Sequence, residues 1–193
     1  MDKKYQIIYA DPPWSFKTYS DKGKGKSPDN HYPVLDIEEI KKLNIDSIVN
    51  KDSVLLLWAT PSMLMYAIDT ISAWGFTYKT IAFTWIKTNK KNTDSLFWGC
   101  GYYTRQNTEI CLLATRGNVL PRESHSVHQV IISPVEAHSK KPDEVMKRIE
   151  QLFGDIKRVE LFARRETPGW VCVGNEITGR DIRDDLKLLA LDK

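Results

Sequence analysis

Apolar residues in this chain fall into short continuous runs, separated by stretches with helical spacing, which is the pattern of an α/β protein. Tyr5-Gln-Ile-Ile-Tyr-Ala10 and Val54-Leu-Leu-Leu-Trp-Ala59 have strand length, and the second is apolar throughout, as suits a parallel strand buried on both faces. Between them the pattern predicts a long loop to about residue 34 and a short amphipathic helix over 36–43, with Asp36 as its N-cap. Residues 61–74 place Met63, Leu64, Ala67, Ile68 and Ile71 on one helical face, and Gly75 ends that helix. Phe76–Ile86, rich in Thr, Tyr, Phe and Trp, reads as a strand, as do Glu109–Thr115 and the shorter Val130–Ile132. Pro142 opens a helix to Phe153, with Asp143 and Glu144 in its first turn where they complement the dipole. Val159–Ala163 and Trp170–Val173 are the last strands, and a charged tail, expected to be helical and peripheral, covers 178–193.

Strands alternating with helices predict a three-layer α/β sandwich with a mostly parallel sheet, formed by residues 1–177. With 193 residues, 41% of them hydrophobic, the chain can build one domain with a sizeable core. No apolar run is long enough to span a bilayer, and the first residues do not read as a signal peptide. Cys100, Cys111 and Cys172 are scattered and lack a Cys-x-x-Cys pair, which points to a reducing, cytoplasmic setting without zinc or disulfides. His125 and His128 are the one close histidine pair and lack further ligands, so no metal is expected.

Charge adds a partner to this picture. The net charge is only +3, but Lys17, Lys22, Lys24 and Lys26 share one Gly/Ser-containing stretch, and Lys87, Lys90 and Lys91 share another. Each reads equally well as solvated surface or as a loop that meets phosphates; their place beside the candidate chemistry favours nucleic acid.

That chemistry starts at Asp11-Pro12-Pro13-Trp14, directly after the first strand. Ligands of open α/β sheets sit outside the carboxyl ends of the strands, where Asp11, Pro61 and Arg164 would converge. A turn followed by a packing Trp explains the tetrapeptide too. An amine-methylating site explains more of it. The exocyclic amine of adenine is a poor nucleophile, and a carboxylate with a nearby carbonyl can accept its hydrogens and free its lone pair. Proline leaves its carbonyl available and fixes its own φ, and tryptophan offers a face to an extruded base. No Gly-x-Gly-x-x-Gly is present, and Gly-Lys-Gly-Lys at 23–26 lacks the Walker pattern.

Asp11-Pro-Pro-Trp14, Tyr32-Pro-Val-Leu35, Leu56-Leu-Trp58, His138-Ser-Lys-Lys-Pro-Asp-Glu144, Glu160-Leu-Phe162 and Gly174-Asn175 occur in this order. Together they make the chain resemble the MT-A70 methyltransferases, nearest to the compact bacterial and phage adenine methyltransferases, over about residues 5–177. The resemblance implies a Rossmann-like S-adenosylmethionine fold in permuted motif order. It also implies that Asp11 and the Pro12 carbonyl hold the amine, with Pro13 in the same motif, while Trp14 and Tyr32 frame the base. Glu109 stands near the target base, although a strand-edge carboxylate in a salt bridge would explain it equally well. Lys141 lies close to both the cofactor carboxylate and the base; Asp11 also faces the cofactor. Arg164, Asn175 and Glu176 match cofactor-contacting positions, Arg165 and Glu166 less well. An acidic cofactor residue that larger relatives carry upstream of the first strand has no counterpart here.

The sequence therefore leads to an expectation of an adenine-N6 methyltransferase acting on DNA, with S-adenosylmethionine as cofactor, a flipped-out target and no membrane partner. The same reaction on RNA, or a silent nucleic-acid-binding subunit, remain the alternatives, and oligomeric state and target sequence are open.

Overall fold

The computed structural model describes residues 4–14, 35–136 and 140–191. Among them the chain forms β1 (Tyr5–Ala10), α1 (Ile37–Lys41), β2 (Val49–Ala59), α2 (Leu64–Ala73), β3 (Thr77–Thr88), β4 (Thr108–Arg116), β5 (Val130–Pro134), α3 (Glu144–Phe153), β6 (Arg158–Leu161), β7 (Val171–Val173), α4 (Asn175–Thr178) and α5 (Ile182–Leu191). The strands build one sheet in the order β5-β3-β4-β2-β1-β6-β7.

The sheet is mostly parallel, as the pattern predicted. β1 pairs parallel with β2 and β6, β6 with β7, and β3 with β5. β4 alone among these strands runs the other way, between β2 and β3. The cause is local: residues 89–107 contain no helix, so the connection from β3 cannot make a crossover and turns back instead. The consequence for function is that β4 begins at the edge where β1, β2 and β3 end.

Alternation along the central strands sorts side chains into two cores. Ile8, Ala10, Leu55 and Leu57 point toward Ile40 of α1, Ala67 and Ile71 of α2 and Leu186 of α5. Ile7, Tyr9, Leu56 and Trp58 point the other way, toward Val145, Met146, Ile149 and Phe153 of α3. Both faces of these central strands are covered, which is why the runs show little polar alternation in the sequence. Each fully buried Leu or Ile contributes roughly 1.5–3 kcal/mol relative to exposure.

Most boundaries shift by one to three residues, and three differences from the pattern have a clear cause or consequence. β2 begins at Val49, because polar residues 50–53 pass through a register shift that takes Tyr5 opposite Val49 and Ile7 opposite Val54. β6 stops at Leu161 and not at Ala163, because Phe162 adopts a left-handed φ of 62°. Residues 182–191, expected to be peripheral, form α5 and bury Ile182 and Leu186 in the core. Their i, i+4 spacing carries that signal inside a charged segment.

Candidate active site

β1 is flanked on both sides, by β2 and β6, and its last four residues are buried, so the strand delivers Asp11 from a rigid base. Directly after it the chain makes a tight turn about Pro13, with the Trp14 N–H donating to the Pro12 carbonyl at 2.8 Å. The expected free carbonyl is therefore half-engaged, and one lone pair remains. Trp14 differs more. Its ring is only 7% exposed and packs in the same core as α2, and its indole Nε1 donates to the Trp58 carbonyl at 2.9 Å. An apolar ring beside a core gains more by burial than by waiting in water. Trp14 thus pins the end of β1 to the end of β2 and does not present the open face expected of it. Tyr32, the other base-framing residue, lies outside the described residues.

Three elements bring charge to this edge. Lys141, in the turn ahead of α3, places Nζ 2.7 Å from Asp11 Oδ2 and 3.1 Å from Glu109 Oε2. Glu109, at the start of the antiparallel β4, accepts from Lys87 Nζ at 2.5 Å through its other oxygen. Lys141 also lies over the Trp58 ring, 5.5 Å from its centroid, and Lys87 over Trp85 at 4.9 Å. Asp11, Lys141, Glu109 and Lys87 form a row of alternating charge, with the two central side chains only about a tenth exposed.

Burial and neighbours act differently on each member. Burial pushes Asp11 up; Lys141 draws it back, Glu109 adds repulsion, and the net direction is upward. Burial would raise Glu109 as well, but the Lys141 and Lys87 ammonium groups outweigh it and hold the carboxyl below its usual range. For Lys141, burial favours the neutral amine, and the two carboxylates more than reverse this, so the ammonium is held charged.

Asp11 also separates two adjoining hollows. One, of about 270 Å³, is lined by Asp11, Pro13, Arg164, Asn175 and Glu176 together with apolar Leu35, Phe162 and Ile182. The other, of about 230 Å³, shares Asp11, Phe162, Arg164 and Glu176, and adds Tyr9, Lys141 and Glu160. Gly174 makes the first possible: a Cβ there would lie 2.6 Å from the Ala163 carbonyl oxygen, so only glycine lets the chain after β7 close on the end of β6. The close approach sets Asn175 and Glu176 beside Arg164, whose Nε is 3.5 Å from Glu176 Oε1.

Most of the residues singled out in the sequence converge here: Asp11, Pro13, Glu109, Lys141, Arg164, Asn175 and Glu176. Arg165 borders the second hollow but pairs with Asp143, and exposed Glu166 lines neither. Sequence reasoning missed Glu160 and Ile182, and it placed Lys87 among loop lysines that meet phosphates, whereas Lys87 lies in β3 and pairs with Glu109. Glu160 sits on β6 opposite Tyr9, and burial, with Asp11 nearby, pushes its carboxyl up to about 7. Its place inside Glu160-Leu-Phe162 was the available signal.

The first hollow thus sets an apolar wall beside an arginine cation and amide and carboxylate acceptors. Residues 5–176 match the MT-A70 family model. The type II methyltransferase M.MunI of a Mycoplasma species is 34% identical, over 93% of this chain and 81% of that protein. Human N(6)-adenosine-methyltransferase catalytic subunit METTL3 is 27% identical over 94% of this chain, and zebrafish METTL3 29% over 94%. The chain spans only 30% and 29% of those two proteins. It belongs to the MT-A70 family of methyltransferases, whose methyl donor is S-adenosylmethionine.

Proposed function

We propose that this MT-A70 methyltransferase methylates the exocyclic N6 amine of adenine in DNA. The observation that carries the reading is the Asp11 carboxylate, which borders both hollows and is held in place by Lys141. One acid can thereby serve the donor on one side and the acceptor amine on the other.

When bound, S-adenosylmethionine supplies an electrophilic methyl group on a sulfonium sulfur. The protein's part is to place the nucleophile and accept its hydrogens. The amine donates one hydrogen bond to the Asp11 carboxylate and one to the remaining lone pair of the Pro12 carbonyl, which draws it out of conjugation with the ring; as it gains the methyl group, the one proton it must lose leaves by way of Asp11. Lys141 holds Asp11 in position, and Glu109 and Lys87 hold Lys141 in turn. Around the donor, Arg164 would meet its carboxylate, while Asn175 and Glu176 accept from the ribose hydroxyls. Leu35, Phe162 and Ile182 supply an apolar wall for its adenine. Tyr32 keeps the base-framing role that its motif implies, while Trp14 acts by fixing the turn.

Adenine as the target draws support from the N(6)-adenosine-methyltransferases among the relatives. DNA draws support from the type II methyltransferase, a class of DNA-modifying enzymes, which this chain matches over most of its length. RNA is the second reading, favoured by the METTL3 likeness over nearly the whole of this chain. The test is transfer of label from tritiated S-adenosylmethionine to unmethylated plasmid, with N6-methyladenine read by mass spectrometry and single-stranded RNA run alongside. Absence of transfer, or full activity in Asp11→Ala, sinks the proposal; label entering RNA alone replaces it with the second reading.

A further inference from the structure

Between β3 and β4 the chain leaves the sheet edge and returns over residues 89–107, and its hydrogen bonds make this excursion a built arm. Lys87 N–H donates to the Asn107 carbonyl at 2.9 Å, Phe97 N–H to the Lys87 carbonyl at 2.9 Å and Gly99 N–H to the Gln106 carbonyl at 2.8 Å. Asn89 Nδ2 braces the near side, donating to Ser95 Oγ at 2.8 Å and the Leu96 carbonyl at 3.0 Å. At the tip, a Cβ on residue 101 would lie 2.1 Å from the Thr104 carbonyl oxygen, so Gly101 is required for the turn.

This fixed backbone holds aromatic rings in solvent. Trp98 is 73% exposed, Tyr102 87% and Tyr103 94%; the two tyrosine rings stand edge to face, 5.0 Å apart at 83°. They anchor nothing within the described protein. Lys90, Lys91 and Arg105 are exposed on the same arm, and none of them is in an ion pair among the described residues; Asp94 is the arm's one acid. Exposed rings gathered in one place mark a binding surface, and the cations decide which kind. The buried centre of a protein interface is depleted in lysine, whereas a single nucleic-acid strand needs flat rings for its bases and cations for its phosphates. The arm is also rooted in the reacting cluster, because Lys87 and Glu109 stand at its two ends.

We propose that residues 90–105 are a stacking clamp for the unpaired DNA strand flanking the target adenine, with Tyr102, Tyr103 and Trp98 against base faces and Lys90, Lys91 and Arg105 toward phosphates. This inference rests on the DNA reading above and names the surface that reading lacks.

The experiment compares wild type with the Tyr102→Ala/Tyr103→Ala and Tyr102→Phe/Tyr103→Phe variants. Binding of a fluorescein-labelled single-stranded oligodeoxynucleotide carrying one adenine is followed by anisotropy, with an RNA of the same sequence as a second arm. S-adenosylmethionine affinity is measured by calorimetry and oligomeric state by sedimentation. The alanine pair is expected to weaken DNA binding roughly 10- to 100-fold, and the phenylalanine pair to stay within about twofold, since it keeps both rings. Cofactor affinity and sedimentation stay unchanged. The clamp is overturned if the alanine pair binds DNA like wild type, if the phenylalanine pair loses as much, or if only RNA binding falls. It is equally overturned if sedimentation shifts, which would make the arm a protein interface. Plasmid methylation by wild type separates the two ideas: transfer without any effect of the alanine pair ends the clamp alone, while a wild type that neither methylates nor binds DNA ends the DNA reading with it.

Discussion

Lys141 and Asp11 are 130 positions apart in the chain and 2.7 Å apart in space. The contact joins the turn ahead of α3 to the end of β1, and Glu109 extends it at 3.1 Å. Two buried carboxylates at this separation repel, and the ammonium between them is what makes the arrangement tolerable. Lys141→Met should therefore do more than remove a ligand contact. It leaves two half-desolvated acids facing each other, and we expect a loss of about 3–5 kcal/mol in urea unfolding at pH 7. The kcat/KM for methyl transfer should fall at least about 100-fold, since the acceptor carboxylate loses its orientation. A variant as stable as wild type would show that the ion pair does not hold the site together.

Glu160 predicts a pH dependence of stability. Its folded pKa of about 7 lies above the ordinary 4.5, because burial opposes ionisation. Between those values the native state binds more protons than the unfolded chain, so the linkage makes stability fall as pH rises. The contribution is fully present below about 4.5, is lost through about 7, and amounts to roughly 3 kcal/mol. Glu160→Gln cannot ionise and escapes the loss. Thermal melts should show the variant more stable than wild type at pH 8 and the gap closing toward pH 5. A constant gap across that range would contradict the shift.

Trp14 separates packing from base contact. Trp14→Phe keeps an aromatic ring but removes the donor to the Trp58 carbonyl, leaving a buried acceptor without its partner. A loss of about 1–3 kcal/mol in urea unfolding follows, with KM for DNA close to wild type. Unchanged stability with a raised KM would instead put the ring against the substrate.

Lys87 is a positioning residue for Glu109, through the carboxylate oxygen that Lys141 does not hold. Removing its charge in Lys87→Met takes away the second of the two cations that keep Glu109 below its usual range. If ionised Glu109 orders Lys141, the acid limb of the kcat/KM profile moves to higher pH in the variant, while kcat at its plateau changes less. Lys87→Arg, which keeps a cation, should restore the limb. A profile that stays in place would leave Lys87 a purely structural partner.

β1, β2, α2 and α3 were legible because each must bury a run or a stripe against the sheet, and burial writes itself into apolar spacing. Asp11, Lys141, Arg164 and Asn175 stand in motifs next to those elements, and the structure brings them to one sheet edge. The docking of α5 was missed because its buried Ile182 and Leu186 are diluted by Arg183, Asp184, Asp185 and Lys187. The reversed course of β4 was missed because a strand's composition does not record its direction, and with it went the reason Glu109 reaches the site.

By itself, then, the sequence determined the α/β architecture, the family and the kinds of group carried by its motifs. These follow from local spacing and from residue identity, which any reader of the chain possesses. Only the tertiary structure decided which groups act on one another. Burial turned Trp14 from an open face into an anchor, and exposure made Tyr102 and Tyr103 the rings that face outward. The row from Asp11 through Lys141 and Glu109 to Lys87 exists because four segments far apart in the chain end at one sheet edge. Ångström distances and the loss of water there set the charges, and neither is encoded in any short stretch of sequence.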